Sequence, residues 1–168
     1  MIVRRLDETD AAAFRVLRLH ALQESPVAFG SSYEETLAQP LERMEERLRR
    51  TADRPYDFVL GAFDPQLIGM VGFARETRLK TRHKGAIWGM YVAEQARGRG
   101  IGRALLQGLL AEARAQPDLE TIILLVVSTN EAAKRLYRSF GFAIYGTEPC
   151  ALKLGDQYYD EDLMVLRL

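Results

Sequence analysis

The chain has 168 residues and balances 23 Lys and Arg against 23 Asp and Glu, so its formal net charge is zero. With 48% hydrophobic and 27% charged residues, it has the makeup of a globular domain, without the global charge that would draw it to nucleic acid or an anionic membrane. The one cysteine, Cys150, excludes an internal disulfide framework, and the two histidines, His20 and His83, stand at no ligand spacing, so no metal site is expected.

The length suits a single domain over residues 1–168. With no long apolar run and no signal-like start, a cytoplasmic protein away from membranes is the expectation. In chain order, Ile2 to Leu6 predicts a short strand, and Asp7 to Asp10 offers caps for a helix from Ala11 to about Gln23, with Phe14, Leu17 and Ala21 on its apolar face. Ser25-Pro26 ends that helix, and the stretch from Phe29 to Glu35 reads as an ordered loop or short helical turn. Pro40 is placed to open a helix to about Arg50, with Leu41, Met44 and Leu48 on one side. Two strands, 58–63 and 67–75, flank the turn Asp64-Pro65-Gln66, and a third covers 86–92. After a glycine-rich turn, a helix runs to about Arg114. Residues 121–127 form the most apolar run, short and β-branched, as expected of a central strand covered on both faces. A helix from Glu131 to Phe140 stops at Gly141, and residues 142–145 and 163–168 supply the last strands. The class is therefore α/β with a mixed sheet.

The chemistry concentrates in Arg97-Gly98-Arg99-Gly100-Ile101-Gly102-Arg103, where a strand leads through close-spaced glycines into a helix. A helix start leaves its first N–H groups without intrachain partners and carries positive potential. Glycines let a phosphate approach the backbone without meeting a Cβ, and three arginines add charge; together these make a diphosphate site. A phosphate loop of the Walker type would need Lys-Ser/Thr after its last glycine, and a dinucleotide fold would place its glycines after the first strand; neither holds.

The segment resembles the Arg/Gln-x-x-Gly-x-Gly/Ala signature of the GCN5-related N-acetyltransferase superfamily. The strand ending Met90-Tyr91-Val92 precedes it, a long helix follows, and Asn130, Ala133, Tyr137 and Gly141-Phe142 stand at the spacing of that family's second hallmark. The resemblance covers nearly the whole chain. It implies a central mixed sheet of about six to seven strands flanked by about four helices, and an enzyme that moves the acetyl group of acetyl-CoA to a primary amine of a small molecule or a protein. It further implies that a β-bulge splays the strand over 86–92 from its neighbour, that the backbone at Met90, Tyr91 and Val92 holds the pantetheine arm, and that the amides from Arg97 to Arg103 take the pyrophosphate. Asn130 and Ala133 would face the arm, and Tyr137 would act as general acid; from helical spacing alone, Tyr137 reads as a half-buried core residue beside the stripe Ala132, Ala133, Leu136 and Phe140. A homodimer through sheet edges also fits the family.

Three matters stay open at this level. Asn130 is either a helix N-cap, or is free while Ser128 and Glu131 form a capping box. A general base is not legible: Glu24, Glu34, Glu35 and Glu94 are candidates, while His83 between Arg82 and Lys84 reads as a solvated hairpin end. For the acceptor amine, Phe29, Ser32, Tyr33, Glu34 and Tyr159 supply aromatic faces and carboxylate charge suited to an ammonium group. The alternative to an enzyme is a sensing module that binds acyl-CoA without turnover.

Overall fold

The computed structural model describes residues 1–168. Seven strands, β1 (Ile2–Arg5), β2 (Phe58–Phe63), β3 (Leu67–Arg75), β4 (Lys84–Val92), β5 (Thr121–Val127), β6 (Ala143–Leu154) and β7 (Gln157–Arg167), form one mixed sheet in the order β1-β2-β3-β4-β5-β7-β6. Only β4 and β5 pair in parallel. Five helices complete the fold: α1 (Ala11–Glu24), α2 (Tyr33–Ala38), α3 (Leu41–Leu48), α4 (Ile101–Arg114) and α5 (Glu131–Arg138).

Alternation along the strands divides the core in two. Leu60, Val71 and Phe73 point to one face, where α4 contributes Ile101, Leu105, Leu106, Leu109, Leu110 and Ala113, all nearly inaccessible. Val59 and Met70 point to the other face and meet Phe14, Leu17 and Ala21 of α1 with Met44 and Leu48 of α3. An i, i+3/i+4 apolar stripe on each helix produces this two-sided burial.

Of the two readings for 29–35, the helical one holds from Tyr33: Ser32 accepts from the Glu35 N–H, and the Glu35 carboxylate accepts from the Ser32 N–H, a capping box that starts a fifth helix. The structure departs from expectation in three places. The last two strands are far longer than 142–145 and 163–168, because Gly155 at φ 59 closes a long hairpin whose polar outer residues mask its alternation. β5 is not covered on both faces, since Leu125 is 48% exposed; α1 and α3 pack over β2–β4 and leave that side of β5 open. On α5 the inward residues are Lys134 and Tyr137 rather than Ala132, which is exposed.

Candidate functional site

β4 and β5 begin as partners and then part. Their pairing runs only from Lys84↔Thr121 to Ala86↔Ile123, and Ile87 onward has no partner on β5. The cause lies on the other edge of β4. Met70 pairs with Tyr91 and Gly72 with Trp88, so Val71 faces both Gly89 and Met90, a β-bulge with Gly89 at φ 61. The extra residue resets the alternation. Met90 and Val92 turn toward the α4 face, while Trp88 and Tyr91 turn toward α1. The resulting gap is lined by Ile87–Met90 on one side, Leu124–Val127 on the other, and by Phe29, Asn130, Ala133 and Tyr137.

A cleft of ≈ 650 Å³ continues from the gap past Met90, Tyr91 and Val92 to Arg97, Gly98, Gly100, Ile101, Gly102 and Arg103, with Ala133, Leu136 and Tyr137 opposite. Gly98 (φ 75) and Gly100 (φ 78) are both left-handed, and a Cβ on either would project into open space. That is the vacant volume an anion needs over a helix start. None of the N–H groups from Gly98 through Arg103 donates to another atom of the chain; the first bond of α4 is Ala104 N–H to Gly100 C=O. Gly102 serves packing instead, since its Cβ would stand 3.3 Å from Leu136 and 3.4 Å from Met90.

The three arginines each have a partner within the chain. Arg97 pairs with Glu24 and donates from Nε to the Val92 carbonyl at 3.0 Å; Arg99 pairs with Asp64; Arg103 donates to Ser139 Oγ at 3.2 Å. Exposed ion pairs of this kind contribute about 1 kcal/mol or less, so a multiply charged anion competes easily for these guanidinium groups. Glu24 is thereby occupied. It also accepts from the Tyr91 hydroxyl at 2.5 Å, and that hydroxyl lies 3.2 Å from His20 Nδ1. Burial works against the Glu24 charge, but the Tyr91 and Arg97 hydrogen bonds outweigh it and hold the carboxyl below its usual range. Of the three residues 90–92, Tyr91 therefore contributes only main chain to the cleft, its ring being buried toward α1.

Tyr137 is 7% exposed, with its ring edge-on to Phe142 at 5.9 Å and its hydroxyl 3.5 Å from Met90 Sδ. It borders both the gap and the cleft. Burial pushes its phenol up to about 12, so it keeps its proton throughout the neutral range. Asn130 is the N-cap of α5, accepting from Ala133 N–H at 3.1 Å through Oδ1, and it also lines the gap. The Ser128–Glu131 capping box does not form. Ser128 Oγ donates instead to Asp162, which also accepts from Thr147 and Lys134 and so braces β5 and α5 against β7.

On the α1 side, Phe29, Ser32, Tyr33 and Glu34 come together with Tyr159 and the 151–154 stretch of β6 around a groove of ≈ 900 Å³. Phe29 belongs to this groove, to the cleft and to the gap, so the three spaces meet at its ring. Glu35 is committed to its cap, Glu94 opens the 3-10 turn before the cradle, and His83 sits at the start of β4, at the far end of the strand from the gap. No group of three or more His, Cys, Asp or Glu is placed to hold a metal, and no helix is long and apolar enough to cross a membrane.

Sequence reading missed Arg18. It is 8% exposed, its Nη2 donates to Ser31 Oγ at 2.7 Å, and its guanidinium lies against Phe29 and Trp88. The signal was available: Phe14, Leu17, Arg18 and Ala21 follow the i, i+3, i+4, i+7 pattern, so an arginine stands on the buried stripe of α1.

The acetyltransferase (GNAT) family model matches residues 19–142. A mycothiol acetyltransferase from Mycolicibacterium smegmatis is 38% identical over 90 residues, 52% of this chain and 30% of that protein. An L-methionine sulfoximine/L-methionine sulfone acetyltransferase from Pseudomonas aeruginosa is 37% identical over 79 residues, 47% of this chain and 45% of that protein. The chain thus spans less than half the length of these curated relatives. The crystal structure of an acetyltransferase of the GNAT family from Streptococcus pneumoniae superposes with a TM-score of 0.87 over 99% of both chains at 24% identity, a likeness of fold. With a family model matched through the bulged strand, the glycine cradle and α5, the chain belongs to the acetyltransferase (GNAT) family.

Proposed function

We propose that the protein is an N-acetyltransferase that transfers the acetyl group of acetyl-CoA to a primary amine, and that residues 1–168 act as one catalytic domain. The observation that carries this reading is the continuity of two features. Unpaired N–H groups from Gly98 to Arg103 open onto the same cleft as the unpaired edge of β4 and the Tyr137 hydroxyl. The first suits a pyrophosphate, the second an extended amide-bearing arm that pairs like an added strand, and the third a leaving thiolate.

The residues then divide the work. Main-chain amides of 98–103 with Arg97, Arg99 and Arg103 neutralise the pyrophosphate. The β4 backbone at Met90 and Val92 aligns the arm in the gap and directs the thioester carbonyl toward an N–H donor, which gains strength as that oxygen becomes negative. Asn130, already spent on its cap through Oδ1, retains its amide N–H groups for the arm. The acceptor nitrogen, arriving as the free amine, bonds to the carbonyl carbon while the carbon–sulfur bond breaks. The amine proton leaves to solvent, and the sulfur departs as a thiolate that accepts a hydrogen bond from the Tyr137 hydroxyl. A thiol with a pKa near 8.5 takes a proton from a phenol held at about 12 only in part, so Tyr137 serves chiefly by hydrogen bonding to the developing thiolate.

The acceptor enters from the groove formed by Phe29, Ser32, Tyr33, Glu34 and Tyr159, where Glu34 attracts an ammonium group and the rings cover it. The relatives' names, both acetyltransferases of small molecules, support a small-molecule acceptor. The test is calorimetric titration with CoA followed by thiol release from acetyl-CoA across an amine panel. Micromolar binding with turnover on at least one amine is expected. Binding without turnover on any amine would make the protein a sensing module, and absence of binding would remove the reading altogether.

A further inference from the structure

Arg18 has no role in the mechanism above, yet its placement is costly. Its side chain is over nine-tenths buried, it joins no ion pair, and its Nη1 has no hydrogen-bond partner. Burial, with the nearby Arg47 adding like charge, lowers its pKa to about 10. The surroundings offer only Ser31 Oγ, the Phe29 ring at 5.6 Å, the Trp88 ring at 6.0 Å, and Arg47, itself 5.0 Å from the Trp88 ring. No carboxylate of the chain pairs with it, and Glu24, lower on the same helix, is committed to Tyr91 and Arg97. A buried cation without an anion is expensive unless an anion arrives.

The unpartnered nitrogen also lies against the bulge that opens the reaction gap, behind the gap's wall rather than on its lining. The Cβ that Gly89 lacks would lie 3.1 Å from Arg18 Nη1, and Gly89 at φ 61 is the bulge residue that opens the gap. Phe29, Trp88 and Gly89, three residues lining the gap, are the same three that surround the guanidinium. Resting on the acetyltransferase reading, we propose that Arg18 binds a carboxylate of the acceptor, which makes the substrate class small amino acids bearing a free carboxylate near the acetylated amine. A carboxylate reaches the fork from the gap by turning the Phe29 ring and sharing or displacing the Ser31 hydroxyl. The planar guanidinium then offers two parallel N–H donors. Glu34, which lines the groove, attracts the ammonium group as the acceptor enters.

Trp88 is the only tryptophan in the chain and lies beside Arg18, so its fluorescence reports the site without requiring turnover. The probes are glycine, L-alanine, L-methionine and L-glutamate, each against its methyl amide, titrated into protein saturated with CoA; thiol release from acetyl-CoA is followed in parallel. At least one free acid is expected to perturb Trp88 and to be acetylated with a kcat/KM roughly 10- to 100-fold above its amide. Arg18→Gln should erase that ratio, Arg18→Lys should keep part of it, and the KM for acetyl-CoA should not move in either. If Arg18→Gln does not fold, reduced discrimination in Arg18→Lys at an unchanged acetyl-CoA KM supports the assignment in its place, and undiminished discrimination there overturns it. Equal use of acids and amides, discrimination that survives in Arg18→Gln, or no response to any free acid while CoA still binds would also overturn the assignment. A protein that fails to bind CoA would instead overturn the acetyltransferase reading, and this one with it.

Discussion

The two sides of the β4–β5 gap are built from different materials. On the α4 side, the surface on offer is the main-chain N–H groups of residues 98–103, held by left-handed glycines at 98 and 100. On the α1 side, it is side chains from α1, the 25–35 segment, β4 and the β6–β7 hairpin, more than 100 residues apart in sequence. A backbone site needs only the right turn and tolerates variety in what flanks it. A side-chain site changes with each residue, which suits an invariant cofactor on one side and a selected acceptor on the other.

Removing what joins the two sides should have the largest effect. Asp162 is 6% exposed and accepts from Ser128, Thr147 and Lys134, linking β7 to the β5–α5 turn. Asp162→Ala removes three hydrogen bonds but leaves Lys134 its Glu131 partner and the Ser128 carbonyl, and should cost about 2–3 kcal/mol in denaturant unfolding. The pH dependence has a definite sign. Burial opposes the charge on Asp162, but the three hydrogen bonds prevail and its pKa is lowered. Its contribution is therefore present above the ordinary aspartate range and lost as pH falls through the depressed folded value. A melting profile for the variant that loses less stability in acid than the wild type would bear this out.

Tyr137→Phe should lower kcat by about 10- to 100-fold while the KM for acetyl-CoA stays put. A fall in cofactor affinity without a change in kcat would reassign Tyr137 to packing. The buried phenol gives a second readout. With its folded pKa raised to about 12 from about 10, stability is intact below pH 10 and declines as pH rises toward 12, by about 2–3 kcal/mol at most. The phenylalanine variant should lack that alkaline loss.

A smaller effect is expected at the cradle. Gly100→Val forces a β-branched residue to φ 78 and puts a side chain where the pyrophosphate would sit. CoA affinity should drop roughly 10-fold or more, read by calorimetry, with the acceptor side unaffected. Mildest of all, Glu34→Gln and Tyr159→Phe should each raise the acceptor KM by about 2- to 5-fold and leave acetyl-CoA parameters alone. A mutation on either side that disturbed both substrates equally would erase the division between them.

The glycine turn and the helix carrying Tyr137 were legible because each depends on contiguous residues, whereas the bulge in β4 was expected only from the family resemblance, since it depends on register with β3. Left-handed glycines, an apolar run ending at Val127 and a glycine stop at Gly141 (φ 93) are local statements about backbone freedom. The long β6–β7 hairpin was not legible, because its outer face is polar and its register shifts between Glu148 and Leu152. The sequence offered Asn130 as cap beside a Ser128–Glu131 box and could not choose, since Asp162 claims Ser128 from 34 residues away.

The chain's own pattern of apolar residues, glycines and caps determined an α/β fold with an anion-binding helix start, since short-range sterics and hydrogen bonding decide such features. Only the tertiary structure decided that β4 and β5 separate after Ala86, that Phe29 stands where groove, gap and cleft meet, and that Arg18 lies unpaired against Gly89. Those outcomes depend on which distant groups the fold brings into contact, and on the cost of burying a charge whose partner the fold does not supply.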